Sequence, residues 1–566
     1  MRRDLSGERF HRTPRRLVMG VSAGSTILCF ATTFRSACFN NWFMMLIDRS
    51  KQRNSRRRPL ALEKLDARRV LAAFLWSSDV DGAWSDAGNW QVTEGTSVTG
   101  VPGSGDTVII DRPGADPVIT IDSVTTVDEI VTAETLAVTD KLTVNRTLDV
   151  AGTLRWSNGD LFTNGLSIDA EGRFEITGTP GSLSSSIRNE GTVDQSVSFA
   201  PTARSIVIEN AASGTWTTTN SLASDAGFAM TFNNRGVFQK TGDANAIFPN
   251  TNSKFTHFEG SQIVVTGGTL SLPTSGTGSE PSTGSTFNVA AGATLDLLEG
   301  IGHYTGTYTG VGDGRVEIAS GASFQAGFSP TVLDFPEDML HWTGGLVQAS
   351  NGTIENQGFM HWSGDDGSRS LRGRMFVNTE TIVHEGSSES LLDAGGQGTL
   401  MTNASGAVIQ LRDTGSLVGG KLVNEGVVES NGESTELDSK LFAELGSRVE
   451  VTSGTLNLTG GGSFASTELV VANAAELVFN ASAFNDPVIL RDGAVISGSG
   501  DGKIEFRKGR FDSTSNNAAI DFQPGLFQWS GGEFVRNIRN LGEVTVVATD
   551  SPDAGPLAVV TSSLNN

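Results

Sequence analysis

The chain has 566 residues and a formal net charge of −22, with 68 glycines and only 7% aromatic residues. Long helical patterns are scarce, which argues against a compact α/β enzyme, whereas short Val/Thr/Leu/Ile runs between Gly and Asn residues favour an all-β fold. Residues 1–75 hold 16 basic and 5 acidic residues, so the remaining 25 basic and 58 acidic residues give the body a net charge of −33, which speaks against nucleic-acid binding.

Residues 1–75 predict a basic leader that is mostly non-globular. Residues 1–16 are rich in Arg, and two uncharged runs follow at 17–34 and 36–47. Three interpretations stay open: a signal sequence with a long basic region, a membrane anchor of about 18 residues, or translation that begins at Met44 or Met45. The leader is therefore the only segment through which a membrane contact is expected.

Residues 56–73 read R-R-R-P-L-A-L-E-K-L-D-A-R-R-V-L-A-A. This stretch resembles the N-terminal segment of many large bacterial surface proteins, R-R-x-L-x-L-E-x-L-E-x-R-x-L-L-A. Asp66 stands in place of the second Glu, and Val70 stands in place of the first Leu of the final pair. The resemblance implies export and a location outside the cell or on its surface, whereas the residues alone also fit an ordinary basic amphipathic helix.

Residues 76–116 predict an entry cap. The phrase W-S-D-A-G-N-W, from Trp84 to Trp90, precedes V-P-G-S-G-D-T-V-I-I, which ends at Ile110. This arrangement is similar to the entry module found before β-helices in bacterial surface proteins. The two indoles would cover the open end of a solenoid core, which needs such a cover, and Thr107 to Ile110 would be the first buried strand.

A long internal repeat runs through residues 117–566. Trp156, Trp342 and Trp529 open similar phrases and are 186 and 187 residues apart. The phrase G-D-G-R-V-E-I at Gly312 returns as G-D-G-K-I-E-F at Gly500. The copies span about 130–311, 312–499 and, incompletely, 500–566.

A shorter repeat, apolar-x-Asn-x-Gly-x-apolar, indicates the length of one coil. Its spacings lie near multiples of about 22 to 24 residues, as in a solenoid. We expect Asn and Gly to adopt the left-handed conformation at the turn, and the Asn side chains to hydrogen-bond along the axis. The phrase occurs at Asn189, Asn234, Asn356, Asn424 and Asn540, and at Asn378 with Glu380 replacing the glycine.

These repeats predict a right-handed parallel β-helix, the hand following the usual rule for parallel crossovers. About 20 coils at about 4.8 Å each would make a rod about 95 Å long. Ile187, Ile354 and Val427 are predicted to face the core, and the stretch Thr274 to Thr286 is predicted to be a projecting loop.

His341-Trp342 and His361-Trp362 are the candidate ligand-binding residues. They lie 20 residues apart, close to one coil, so they could stack on one face. An exposed His-Trp ladder binds a sugar by ring stacking and hydrogen bonding. The alternative is a pair of core indoles, each next to an exposed histidine.

Other motifs favour structural roles, and no cofactor, metal site or catalytic residue is predicted. Asp79-Val-Asp81-Gly with Asp86 is a partial calcium loop that lacks its later ligands and fits a plain turn. Asp365-Asp366 is the only Asp pair, and the other phrases of pectin-hydrolysing β-helices are absent. Residues 39–566 contain no cysteine, which excludes a Cys-ligated metal site there.

The favoured function is an exported or cell-surface, adhesin-like structural protein without catalysis. The alternatives are a carbohydrate-active β-helix enzyme, either a polysaccharide lyase or a glycoside hydrolase, and a non-catalytic polysaccharide-binding module. Polysaccharide or cell-envelope components are the expected partners. The last repeat stops about a third of the way through, so we expect a truncated copy or a final coil covered by another chain.

Overall fold

The computed structural model describes most of the chain from residue 71 onward. The described residues are 71–97, 99–202, 205–222, 229–248, 253–272, 275–297, 300–349, 351–364, 369–387, 389–392, 398–481 and 486–547, with the backbone of Ala558–Val559. All belong to one compact unit, Arg69–Asn566. Residues 1–70 of the predicted leader, with both cysteines and most of segment 56–73, lie outside the described residues, as does the pair Asp365-Asp366.

The described residues form an all-β parallel solenoid, which confirms the predicted β-helix. A turn of the chain contributes one strand to each of three faces, which we number 1, 2 and 3 in the order in which the chain visits them. Alternate side chains of each strand point inward, as in Arg448–Val451, because successive residues of a strand point to opposite sides. One hydrophobic core runs from Ala72 to Ile538.

Face 1 is an unbroken row of 22 paired strands. Three of its members are long strands that turn a corner from face 3 and contribute their second halves here. The strands are Gly82–Ala83, Val118–Ile121, Thr135–Val138, Thr153–Trp156, Arg173–Ile176, Thr192–Gln195, Thr215–Thr218, Val237–Lys240, Gln262–Val265, Ser282–Val289, Gly300–Val311, Ala322–Asp334, Ile354–Asn356, Phe376–Asn378, Leu400–Asn403, Lys421–Asn424, Lys440–Ala443, Gly462–Phe464, Val488–Leu490, Arg510–Ser513, Glu533–Phe534 and Ala558–Val559.

Face 2 holds the strand that follows face 1 in each turn. Two long strands contribute their first halves here and their second halves to face 3. The strands are Thr125–Val127, Leu142–Val150, Leu161–Ile168, Ser182–Ser184, Ala200–Pro201, Ala246–Ile247, Thr269–Leu272, Thr294–Leu297, Arg315–Ile318, Leu340–Trp342, Phe359–Trp362, Thr381–His384, Val408–Leu411, Val427–Ser430, Arg448–Val451, Glu468–Val471, Val495–Ser499, Ala519–Phe522 and Arg539–Asn540.

Face 3 completes each turn and includes the parts of the five long strands already named. Its remaining strands are Ala73–Trp76, Thr107–Ile110, Glu129–Thr132, Ile187–Asn189, Ser205–Asn210, Ala229–Asn234, Lys254–His257, Gly345–Ala349, Arg369–Gly373, Glu389–Leu392, Ser416–Val418, Ser434–Leu437, Thr455–Leu458, Glu476–Asn480, Lys503–Lys508, Phe527–Trp529 and Thr545–Val546. The strand Trp90–Glu94 and the 3₁₀ turn Ala87–Asn89 lie in the entry cap.

The entry cap closes the start of the core with aromatic rings. Trp90–Glu94 pairs antiparallel with Ala73–Trp76, which begins inside the stretch predicted to be leader. The ring of Trp90 lies 4.9 Å from that of Trp76 and 4.7 Å from that of Trp84, centroid to centroid. All three indoles are buried, as predicted for Trp84 and Trp90.

Asparagine side chains stack along the axis, as predicted, but in two separate ladders. Asn189, Asn210 and Asn234 end consecutive strands of face 3, and each Nδ2 donates to the next Oδ1 at 2.8 Å. Four further asparagines end consecutive strands of face 1 and are linked by the same 2.8 Å bonds. They are Asn356, Asn378, Asn403 and Asn424.

The glycines after these asparagines are needed for close packing, and the predicted left-handed turn is wrong there. Gly191, Gly236, Gly358 and Gly426 have no positive φ. A Cβ on any of them would lie 2.2 to 2.3 Å from a carbonyl oxygen of the preceding coil, far inside van der Waals contact. Successive coils therefore approach so closely at these corners that only glycine fits.

The long repeat does not return to the same face. Trp156 lies on face 1, Trp342 on face 2 and Trp529 on face 3. Between Thr153–Trp156 and Leu340–Trp342 the chain makes eight turns and then advances by one face. Each copy is therefore rotated by one face relative to the copy before it, which explains why the second asparagine ladder occupies a different corner from the first.

Two local predictions are wrong. Val427 points outward, whereas its neighbour Val428 is fully buried together with Ile354 and Ile187. The predicted loop from Thr274 to Thr286 is in part a strand, since Ser282–Val289 pairs with both neighbouring coils. At Val427 the alternation of inward and outward residues was assigned one position out of phase. In the stretch Thr274 to Thr286 the strand was missed because the sequence is rich in Ser, Thr and Gly.

Candidate functional site on face 2

Four titratable side chains form an outward row on consecutive coils of face 2. Asp296 pairs with Glu317, Glu317 with His341, and His341 with His361, all in parallel register. Neighbouring coils are about 4.8 Å apart, so the row presents two carboxyl groups followed by two imidazoles in line with the solenoid axis. Of the four residues, only His341 and His361 were singled out in the sequence.

The two imidazoles are stacked, with ring centroids 4.9 Å apart and planes inclined by 23°. His341 Nε2 lies 3.0 Å from the carbonyl oxygen of Asp338, and its Nδ1 lies 3.1 Å from Ser363 Oγ. His361 is only 4% exposed, and its Nε2 lies 3.2 Å from Asp338 Oδ1. Glu385 lies 3.7 Å from the other nitrogen, so His361 sits between two carboxylates.

The corner before Leu340–Trp342 holds this pair. Asp338 adopts a left-handed φ of 61°, a conformation that costs free energy for a residue other than glycine. That conformation lets its backbone carbonyl reach His341 while its carboxylate reaches His361. One strained residue therefore contacts both imidazoles.

Burial sets the protonation of the row. Burial, with Glu317 next to it, raises the pKa of Asp296 to about 6. Burial and the nearby Arg315 lower the pKa of His341. Near neutral pH, His341 is therefore an uncharged imidazole, and Asp296 exchanges a proton close to that pH.

The carboxylate of Glu317 is held by two neighbours. Thr343 Oγ1 donates a 2.6 Å hydrogen bond to Glu317 Oε1, and Arg315 Nη2 lies 3.6 Å away. Asp296, in contrast, has a buried Oδ1 without a hydrogen-bond partner. The row thus combines a restrained carboxylate with a carboxyl group whose burial favours its neutral form.

The indoles of Trp342 and Trp362 point inward and are fully buried, packed edge to face at 5.1 Å. Their ring faces are not available to a sugar in solution. Only the two histidines of the predicted ladder point outward, and His361 is itself almost fully covered. Trp342 Nε1 donates to Gly344 O at 2.7 Å, and Trp156 Nε1 donates to Gly159 O at 2.9 Å. In both repeats a glycine two or three residues after the tryptophan accepts the hydrogen bond of the buried indole. Carbohydrate binding at the predicted ladder stays a prediction.

The aspartates of the partial calcium loop are engaged within the cap. Asp79 pairs with Arg112, Asp81 accepts from Val118 N at 2.8 Å, and Asp86 accepts from Gly88 N at 2.9 Å. Within the described residues, no group of three or more His, Cys, Asp or Glu side chains is arranged to hold a metal ion. No helix of that part of the chain is long and apolar enough to span a bilayer.

The sequence analysis did not identify five charged or titratable side chains that the structure places in the row or in the core. Asp296 and Glu317 occupy ordinary outward strand positions in T-L-D-L and R-V-E-I, where their alignment with the histidines depends on coil lengths. His257 and His384 are fully buried and Arg369 is enclosed by Ser363, Gly364 and Ser390. The only signal in the sequence for these three is a polar residue at a strand position where the alternation calls for an apolar, inward-facing side chain.

Comparison with known proteins adds no relative: no family model, curated protein or solved structure matches this chain.

Proposed function

We propose that this protein is a structural, adhesin-like β-solenoid that acts outside the cell or on its surface and is not an enzyme. The observation that carries the proposal is the unbroken core, with 22 strands in register on face 1 and two internal asparagine ladders. At about 4.8 Å per strand this face is about 100 Å long. Such a fold holds side chains at a regular spacing over a long, stiff surface.

The outer surface supports a structural role because many of its charged side chains form ion pairs between neighbouring coils or along a strand, so these charges are held within the solenoid. Arg173 bridges to Asp194 at 2.8 Å, Arg155 to Glu175 at 2.9 Å, and Lys503 to Glu505 at 3.0 Å. Export is supported by the basic leader, by the resemblance of segment 56–73 and by the absence of cysteine from residues 39–566.

Localisation is tested in the native cells with an antibody to the solenoid. We expect the protein in the surface or secreted fraction, sensitive to external protease, with an N terminus that begins after Cys38. Intact Met1 in a cytoplasmic fraction would contradict the proposal. The non-catalytic role is tested by incubating the purified protein with a polysaccharide panel, where release of reducing sugar or of unsaturated ends would refute it.

A carbohydrate-active enzyme is the second candidate, and the row on face 2 is the observation that favours it. Glycoside hydrolysis uses one protonated carboxylic acid and one carboxylate, about 5 Å apart in retaining enzymes. Asp296, whose pKa lies at about 6, and Glu317 are neighbours on adjacent coils. If the panel reveals hydrolysis, Glu317→Gln should abolish it, while Glu450→Gln on the same face should not.

A further inference from the structure

A mostly apolar row of outward side chains runs along face 1 in the second half of the solenoid. Its members lie on six consecutive strands, are paired in register and are each partly exposed. They are Val377, Thr402, Val423, Phe442, Ser463 and Ile489. Charged residues bound the row, with Glu355 before Val377 and Asp512 after Ile489. At about 4.8 Å per strand the row is about 29 Å long.

The fold itself does not require apolar residues at outward positions. Face 2 of the same turns carries Gln410, Glu429 and Glu450 in register at outward positions. On face 1 the corresponding surface includes the ring of Phe442, which has Lys421 Nζ 5.5 Å from its centroid. A contiguous apolar patch on an outer surface marks an interaction site. The row therefore indicates a surface that another molecule covers.

Opposite charges line the two edges of this row. Lys421 and Lys440 lie on one edge, on neighbouring strands and in register with each other. Glu425 and Glu444 lie on the other edge of the same two coils, each just after the strand ends. Four residue steps of extended chain separate Lys421 from Glu425, which is about 13 Å. Across its width, face 1 is here positive, then apolar, then negative.

Two of these charges are free to pair with another molecule. Lys440 Nζ lies 2.7 Å from Asp486 Oδ1, and Arg491 Nη2 donates to Glu444 Oε1 at 2.7 Å. Lys421 and Glu425, in contrast, are exposed and form no ion pair within the described part of the chain. A positive and a negative charge without partners thus flank the same strand, one on each side of Val423.

We propose that two copies of this chain pack side by side, face 1 against face 1, and point in the same direction. A twofold axis along the row places each strand opposite its own counterpart and exchanges the two edges. Lys421 of each copy then faces Glu425 of the other copy. If the copies pointed in opposite directions, the lysine edges would face each other and repel. Charge therefore selects the parallel arrangement.

The size of the patch sets the strength of this association. Six strands, each with the five residues from one edge to the other, cover about 480 Å², so two copies bury about 1,000 Å² in all. An interface of that size is weak and reversible. The net charge of −33 on the body opposes contact between copies elsewhere. Self-association of this kind depends neither on the location proposed above nor on the absence of catalysis.

Sedimentation equilibrium of the full-length protein over a concentration series tests the proposal, and we expect a monomer–dimer equilibrium. Lys421→Glu and, separately, Glu425→Lys place like charges opposite each other and should each weaken the dimer by about 10-fold or more. The double variant restores opposite charges with the edges exchanged, so its dissociation constant should return to within about 3-fold of the parent's. Lys254→Glu makes the same charge change at an exposed position on face 3 and should leave dimerisation unchanged.

The melting temperature of each variant should match that of the parent, because all of these side chains are exposed. The proposal is overturned if the protein is monomeric at every concentration, or if the single reversals dissociate no more than Lys254→Glu does. It is also overturned if the double variant dimerises as weakly as the single ones, since that result excludes the pairing of Lys421 with Glu425 between copies.

Discussion

At the residue scale, a few inward polar residues make the stability of this apolar core depend on pH. His257 lies among Phe255, Phe287 and Tyr308, is fully buried, and neither of its ring nitrogens has a hydrogen-bond partner. Its burial lowers the pKa of the imidazole to about 3. The folded state therefore holds this residue neutral over a range in which an unfolded chain would protonate it.

Acid should destabilise the solenoid through His257. Because its pKa is about 3 when folded and 6.5 when unfolded, the unfolded chain binds more protons between these values, and stability falls as pH drops through that range. At pH 4 the cost is about 3 kcal/mol. Calorimetry at pH 7 and at pH 4 measures this effect. Between these two pH values, the melting temperature of His257→Phe should fall by less than that of the parent. His303→Phe, at a half-buried surface position, should behave like the parent; equal losses in all three proteins would contradict the assignment.

The orientation of individual strand residues gives a matched pair of substitutions. Ile354→Asp places an unpaired carboxylate in the core and should cost about 3–5 kcal/mol of unfolding free energy. Val427→Asp introduces the same side chain at an outward position and should cost less than about 1 kcal/mol. Denaturant titration followed by circular dichroism compares them, and similar midpoints for the two variants would refute the inward and outward assignment.

The two asparagine ladders add buried side-chain hydrogen bonds to the main-chain bonds between coils. Each rung except the last of a ladder donates to the next rung and to a backbone carbonyl of the next coil, as Asn378 does to Asn403 Oδ1 and to Val408 O. The ladder is polar: the first rung, Asn356, has a buried Oδ1 without a partner, since the preceding coil places Leu333 there. A middle rung is therefore worth more than its own hydrogen bonds, because its removal leaves a second buried amide unpaired.

Removing a middle rung should be costly. Asn378→Ala deletes four hydrogen bonds, three that Asn378 donates and one that it accepts from Asn356. It also leaves the Oδ1 of Asn403 without its donor and opens a small cavity, so we expect a loss of about 2–4 kcal/mol. Asn288→Ala, on the exposed side of face 1, is the control and should change stability by less than about 0.5 kcal/mol. Thermal melts that coincide for both variants would show that the ladder does not carry this energy.

At the scale of the whole molecule, the turn is the unit of construction. One long repeat spans eight turns and one further face, so equivalent residues of successive copies point in three directions around the axis. The Asn phrase of the third copy follows this rule. Asn540 ends a strand of face 2, whereas the ladders of the first and second copies end strands of face 3 and face 1. Any surface shared by the copies is thereby presented on all three sides of the solenoid.

A whole turn should therefore be removable. Deletion of residues 403–423 joins Thr402 to Asn424, which takes the position of Asn403 in the ladder because the two are paired in register. Contacts in a solenoid are between neighbouring coils, so the variant should keep the parent's circular dichroism and a cooperative melt. Deletion of residues 403–409, about a third of a turn, moves every later strand to the wrong face and should abolish cooperative unfolding. The same outcome for both deletions would contradict the turn assignment.

Most of the fold could be predicted from the short and long repeats of the sequence. Alternating apolar residues, the Asn phrases and the two cap tryptophans predicted the solenoid, the ladders and the closed N-terminal end, because these features depend on local periodicity and recur in every coil. The error at Val427 arose because a strand shifted by one residue reverses all its side chains, and the short phrase alone did not define that phase.

Only the tertiary structure decided which side chains meet. The row from Asp296 to His361 and the rotation of each repeat by one face depend on the exact residue number of every coil, including corners whose lengths vary. The burial of Trp342 and Trp362 depends on what the adjacent coils place beside them. Local pattern thus determined the coil, while the stacking of unequal coils determined the surface on which any function must rest.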